Sequence, residues 1–407
     1  MSLQKIAGQL VNHVAELQAK GTAKGTEKIV TGIKAAEAGF SERYYLEGYG
    51  DRAFLRMNSN SYLGLSLHRQ LIVTEAQAAE QFGTGPGAVR FISGTYRPHI
   101  ELEKALASFH GRERAMVMSA AYATVVGVLP QLVTSATLVI SDALNHNSII
   151  TAIRLSQPAD KAVYAHVDMQ ALEKILDTHK GQVKRVCVVT DGVFSMRGDH
   201  APLGEIAAIC KRHEADYEEG IITIVDDSHG VGALGRTGRG TEEYTYAQAD
   251  ILIATLGKAL GVNGGYVVSS APIIDYLRET APLYIYSNPI TPAEAAAAVT
   301  SLQILDSAEG RELLAQVRRL GKQLRTALQN LGYETIMGEH PIVPLLIRDT
   351  EKTSALVKYL FDHNILVTGL NYPVVPKGDE EIRLQVSATQ TEKDIDYLIE
   401  KLKNFNV

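Results

Sequence analysis

The chain has 407 residues, is 45% hydrophobic and 21% charged, and carries a net charge of −6 with no long basic run. That length suits two or three structural units, and the charge balance argues against nucleic acid or an anionic membrane surface as a partner. Its two cysteines, Cys187 in RVCVVT and Cys210 in AAICKR, belong to no CxxC or Cys/His cluster, which argues against a disulfide framework or a zinc site and fits a reducing compartment.

The N-terminus shows no apolar stretch of signal type, and nowhere do about 18 apolar residues run together, so a cytoplasmic protein without a membrane span is expected. Ile6, Leu10, Val14 and Leu17 recur at helical spacing before the break GTAKGTEK. This predicts an amphipathic helical arm, residues 1–60, that packs on the body or on a second subunit. From about residue 100 to 270, short β-branched runs alternate with helical patterns: AMVMS, ATLVIS, KAVYA, RVCVVT, IITIVDD, ADILIAT and GYVVSS. Near-continuous apolar strands separated by amphipathic helices predict a mostly parallel sheet of seven strands covered on both faces, an α/β domain over 61–295. After residue 290 a long helical stretch leads into IVPLLI, a helix, ILVTG, IRLQVS and a last helix, which predicts a smaller α+β domain over 296–407.

Ligands of open α/β sheets gather beyond the carboxyl ends of the strands. There the sequence places Asp142 to His146 after ATLVIS, Asp191 to Ser195 after RVCVVT, Asp226 to His229 after IITIV, and Lys258 in TLGKALG after ADILIAT. Three chemistries compete for this edge. Gly230-Val-Gly232-Ala-Leu-Gly235 matches G-x-G-x-x-G, but DDSH separates it from its strand, and RTGRGTEEY follows where the pyrophosphate-binding helix belongs. Asp226, Asp227, His229 and His146 offer metal-ligand types without metal-ligand spacing, and two adjacent side chains on an extended segment point to opposite faces; no metal is expected. Pyridoxal phosphate (PLP) needs a lysine for an imine, a carboxylate for the pyridine nitrogen, a ring to lie on the cofactor and a phosphate cradle. Lys258, Asp226, His146 and the small-residue turn after AMVMS supply all four.

DALNHNSII, TDGVFSMRGDHAPL, VDDSHGVGALGRTGRG and TLGKALG, in this order, resemble the α-oxoamine synthases, from about residue 35 to the C-terminus. These are PLP enzymes of the fold-type I aminotransferase superfamily that join an amino acid to an acyl-CoA. VRFISGT, DALNHNSII and NYPVVPKG look most like the 2-amino-3-ketobutyrate CoA ligase (glycine C-acetyltransferase) branch; 8-amino-7-oxononanoate synthase and serine palmitoyltransferase are alternatives in the same family, and an aminotransferase, an aldolase or an inactive regulatory subunit stands further off. Position by position, the resemblance makes Lys258 the Schiff-base lysine and the base at the substrate Cα, and Asp226 the partner of the pyridine nitrogen. It assigns His229 and Ser195 to the phenolic oxygen, His146 to the ring face, and the backbone of Ala121 and Tyr122 with Thr255 to the phosphate. Ser287 would reach the phosphate from the other subunit of a homodimer, and Asn60 and Arg383 would receive the substrate carboxylate; His99 would lie near the ring. The substrates implied are a small amino acid, glycine favoured, and an acyl-CoA, with an α-amino ketone or its β-keto acid precursor and CoA as products. Relatives carry Ala-Asn where this chain has Thr124-Val125; GVNGGY is a residue short of the family pattern, and HEADYEEGII adds residues.

Overall fold

The computed structural model describes residues 2–20, 23, 25–372 and 375–405. All seven apolar runs of the central segment become strands of one sheet: β1 (Arg114–Met118), β2 (Thr137–Asp142), β3 (Asp160–Tyr164), β4 (Arg185–Asp191), β5 (Ile221–Asp226), β6 (Ile251–Thr255) and β7 (Gly265–Ser269). The spatial order is β1-β7-β6-β5-β4-β2-β3, and only β7 runs antiparallel to its neighbours. Alternate residues of β2, β4 and β5 feed opposite cores. Cys187 and Val189 join Met116, Ile224 and Val267 under the helix α1 (Ala121–Leu132), whereas Val186 and Val188 join Leu138 and Val225 under the helices Met169–His179 and Leu203–His213. Burial on both faces is why these strands read as continuous apolar runs rather than as an alternation. The chain thus has the mostly parallel α/β sheet of fold-type I PLP transferases.

The chain divides into two compact units, one of residues 1–59, 320–337 and 342–407, the other of 60–319 and 338–341. The larger contains the seven-stranded sheet. In the smaller, Val30–Lys34, Arg43–Leu46 and Ala53–Arg56 form an antiparallel meander, to which Ile365–Leu366 adds in parallel. A second sheet orders Glu334–Thr335, Ile342–Leu346, Glu381–Gln385 and Thr368–Leu370. The helical arm expected over 1–60 is a helix only over Ser2–Ala19. Tyr44 and Leu46 point inward between the half-buried Arg43 and Tyr45, and this two-residue period makes the rest of the segment strand rather than helix.

Candidate active site

Parallel pairing places the last residues of neighbouring strands side by side, so that Asp191 lies opposite Asp226 in register and Asp226 opposite Ile253. Beyond this row opens a cleft of about 570 Å³, open solvent at its mouth included, lined by Ala121, Tyr122, His146, Ser148, Asp191, Val193, Ser195, Asp226, Ser228, His229, Thr255 and Lys258. That volume is within the usual range for small-molecule sites.

Each lining group is held from behind. His146 caps the helix α2 (Asn147–Ser156): its Nδ1 accepts from Ser148 N at 3.2 Å, and its own backbone N–H donates to Asp191 Oδ2 at 3.0 Å. Asp226 Oδ1 accepts from Ser228 N at 3.1 Å. Tyr62 Oη donates to Asn60 Oδ1 at 3.2 Å and lies 2.7 Å from His229 Nδ1. Lys258 is half-buried in the turn that follows β6, where Gly261 N donates to the Lys258 carbonyl at 3.0 Å. Gly261 has φ +71°, and a Cβ there would overlap the backbone of Leu65 and Ser66, so the turn requires glycine.

Asp226 and Asp227 point apart, as expected of adjacent residues on a strand end. Asp227 is fully buried; its oxygens accept from Thr241 Oγ1 at 2.6 Å and Thr241 N at 2.7 Å. Side chains at Gly192, Gly230 or Gly240 would overlap its carboxylate. Gly232 and Gly235 are likewise closed in by Ala259 and Glu243. The G-x-G-x-x-G pattern is therefore a packing device around a buried acid, not a pyrophosphate cradle, and the helix after it spans only Thr241–Thr245. Burial pushes the Asp227 carboxyl up to about 8 against the pull of the Thr241 bonds.

Electrostatics inside the cleft are asymmetric. Burial, reinforced by the charge of Asp226, holds the Asp191 carboxyl well above the usual carboxylate range, although the His146 N–H and the charge of Lys258 act the other way. His146 is open to the cleft, yet enough protein surrounds its ring that desolvation lowers its pKa; Asp226 opposes this and Lys258 adds to it.

Of the residues picked out in the sequence, Lys258, Asp226, His146, His229, Ser195, Ala121, Tyr122 and Thr255 line one cleft. Asn60 is outside the lining, joined to His229 through Tyr62. Ser287 is half-buried in the turn after Pro282–Ile285, outside its own chain's cleft. Arg383 is on the strand Glu381–Gln385 of the smaller unit. His99 is not at the cleft: it is fully buried, accepts from Tyr96 N at 3.0 Å and contacts the Ile290 carbonyl at 2.8 Å, which makes it a helix-capping residue. Thr124 and Val125 are buried, Thr124 spending its hydroxyl on the Ala120 carbonyl at 2.9 Å. Within NYPVVPKG, Pro373 and Val374 lie outside the described residues. Sequence reasoning did not select Tyr62, Ser148, Asp191, Val193 or Ser228. Asp191 was within reach, since it heads the residues after the RVCVVT strand, whereas Tyr62 announces itself only through the fold.

The profile of the aminotransferase class I and II family matches residues 52–402. The 8-amino-7-oxononanoate synthase of Thermosipho melanesiensis is 38% identical over 354 residues, 86% of this chain and 87% of that protein. That of Geobacter sulfurreducens is 40% identical over 347 residues, covering 85% and 87%. Among solved structures, a Sphingomonas wittichii serine palmitoyltransferase superposes with a TM-score of 0.87 at 26% identity over 99% of this chain and 97% of that one. A serine palmitoyltransferase variant from S. paucimobilis with a bound PLP–myriocin adduct superposes with a TM-score of 0.86, also at 26% identity and the same coverage. The chain belongs to the α-oxoamine synthases, within the aminotransferase class I and II family. It is a PLP-dependent acyltransferase-type enzyme. The finer likeness to 2-amino-3-ketobutyrate CoA ligase is not supported, because the relatives are 8-amino-7-oxononanoate synthases and the structural neighbours serine palmitoyltransferases. Two of the motifs behind that likeness serve general ends: DALNHNSII carries the His146 loop, and Arg90 of VRFISGT forms a buried ion pair with Glu103 at 3.1 Å.

The cleft of this α-oxoamine synthase fits PLP by its own chemistry. The start of α1 has no side-chain cap, so its leading N–H groups and dipole are available to a phosphate. Gly265 lets β7 approach that start closely, since any Cβ there would overlap Ala120 and Ala121. Ser228 Oγ is buried without a hydrogen-bond partner and borders the cleft, the condition of a group awaiting a ligand. A carboxylate at Asp226 suits a ring N–H, and the Lys258 amine suits an aldehyde. Among the described residues no cluster could hold a metal ion.

Proposed function

We propose that the enzyme condenses a small amino acid with an acyl-CoA, as an α-oxoamine synthase of the 8-amino-7-oxononanoate synthase or serine palmitoyltransferase type, releasing CoA. The observation that carries this reading is the convergence of Lys258, Asp226, His146, His229 and Ser195 on one cleft in a chain 38–40% identical to 8-amino-7-oxononanoate synthases. PLP supplies, when bound, an electron sink for the pair left as the Cα–H bond breaks.

The residues do the rest. Lys258 anchors the cofactor and moves the Cα proton on its ε-nitrogen. Asp226 would keep a proton on the ring nitrogen, and His146, whose pKa burial lowers, would cover the ring without adding a competing charge. Ser195 and His229 contact the phenolic oxygen, while the backbone at Ala121 and Tyr122, with Thr255, holds the phosphate. Asn60 receives the substrate carboxylate; Arg383 keeps the same role on the resemblance of EIRLQVS alone, a planar guanidinium being able to bind a carboxylate by two parallel hydrogen bonds.

A homodimer is part of the proposal, with Ser287 of a second copy completing the phosphate site. Phe91, Ile92 and Tyr286, with 69%, 68% and 77% of their surface exposed, support an interface of this kind. The cytoplasm is the proposed place of action; among the described residues no helix is long and apolar enough to cross a membrane. The test is thiol release from a panel of glycine, alanine and serine against acetyl-, succinyl-, pimeloyl- and long-chain acyl-CoA. At least one pair is expected to liberate CoA; silence across the panel, with amino transfer to an α-keto acid instead, overturns the proposal.

A further inference from the structure

We propose that His166 is a positioning residue, whose ring ties the loop bearing Ser195 to the loop leading into His146 and thereby sets the two sides of the cofactor site. This rests on the PLP reading of the cleft. His166 follows β3 and does not line the cleft. Its Nδ1 is 3.0 Å from Asp142 Oδ1 and its Nε2 3.1 Å from Asp199 Oδ2. Ionised carboxylates only accept hydrogen bonds, so both ring nitrogens carry hydrogen and the ring is an imidazolium.

The three residues belong to three successive strand-end loops. Asp142 ends β2, and its carboxylate also accepts from Leu144 N at 2.8 Å and Val167 N at 2.9 Å, fixing the turn that reaches His146 four residues on. Asp199 closes the loop after β4, in which Phe194 N donates to the Asp199 carbonyl at 2.9 Å and Gly198 N to the Phe194 carbonyl at 2.8 Å; Ser195 is inside that closure. The ring edge of His166 meets Phe194 with centroids 4.3 Å apart at 89°. Besides the two aspartates, the nearby charge is Arg197, whose Nε donates to Asp199 Oδ2 at 2.8 Å. Burial alone would discharge the ring, but the bonds to Asp142 and Asp199 raise its pKa to about 9, so the tie holds at neutral pH.

The experiment measures the PLP dissociation constant, the absorption spectrum of the bound cofactor and the thermal midpoint for the full-length wild type, His166→Ala, Asp199→Ala and the double variant. Each single variant is expected to bind PLP about tenfold more weakly with a shifted absorption band, and the double variant no more weakly than either. His166→Gln, able to keep one neutral bond, is expected to fall between wild type and His166→Ala, and it serves as the informative variant if alanine does not fold. In the wild type, affinity is expected to weaken as pH rises through about 9, a step missing from His166→Ala. Wild-type affinity and spectrum in the His166 variants, or single losses that multiply in the double, overturn the proposal. A wild type that binds no PLP would sink the cofactor reading itself, and the tie with it.

Discussion

Two carboxyl groups side by side at the ends of β4 and β5 cannot both ionise at low cost. Burial, reinforced by the neighbouring Asp226, holds the Asp191 carboxyl well above the usual carboxylate range, and the family resemblance gives Asp226, not Asp191, to the ring nitrogen. An amide at each position therefore has unequal effects: Asp191→Asn is expected to retain activity within about tenfold, whereas Asp226→Asn is expected to lose roughly two to four orders of magnitude in kcat, the size of a lost acid–base contribution, with the comparison made by steady-state thiol release. Lys258→Ala is expected to lose at least as much, and borohydride to leave no PLP attached to the chain. At His166 the sign of the pH effect follows from its pKa, raised from 6.5 to about 9 by two aspartates that outweigh burial. The folded state binds this proton more tightly, so the stabilisation is complete below pH 6.5 and is lost as pH rises through about 9. Its size is on the order of 2 kcal/mol after allowance for solvent screening, readable as a fall in denaturant midpoint that His166→Ala does not show. Which side chains reach the cleft was legible in the sequence where they end or closely follow a strand, as with Asp226 and Lys258. His99 misled because a histidine near a motif looks the same whether it meets a ligand or, as here, a backbone carbonyl at 2.8 Å.

At the scale of elements, the site depends on how closely β7 passes the start of α1. A methyl group at Gly265 overlaps the backbone of Ala120 and Ala121, so Gly265→Ala must displace the helix start. The expected outcome is a loss of about 1–3 kcal/mol of stability from overpacking, with PLP affinity reduced at least tenfold, measured by thermal melting and by titration of the cofactor-free protein. The seven strands were readable from their apolar runs because both faces are buried. The antiparallel sense of β7 was not, since direction comes from connectivity and pairing rather than from the composition of GYVVSS. The strands between residues 30 and 56 were missed for another reason: they are short, and only Tyr44 and Leu46 carry the two-residue period clearly.

For the whole molecule, the large exposed apolar residues at Phe91, Ile92 and Tyr286 lead to the expectation that sedimentation reports a dimer, and that Phe91→Asp with Ile92→Asp shifts it towards monomer while lowering PLP retention. The division into units shows why domain limits were hard to read. Residues 1–59 fold with the C-terminal segment, and the boundary falls inside the single helix Ala308–Asn330, whose helical pattern runs on through Gly321.

The carboxylate of Asp227, enclosed by Gly192, Gly230 and Gly240, has a consequence for how this loop can change over generations. One acid forbids side chains at three positions at once, so the constraint is collective. Shortening Asp227 to serine would not release them, because Thr241 Oγ1 still crowds Gly192 and Gly230, and Gly240 sits at φ +85° beside Val231 N; in a library selected only for solubility, the acid, Thr241 and the three glycines are expected to persist as a block.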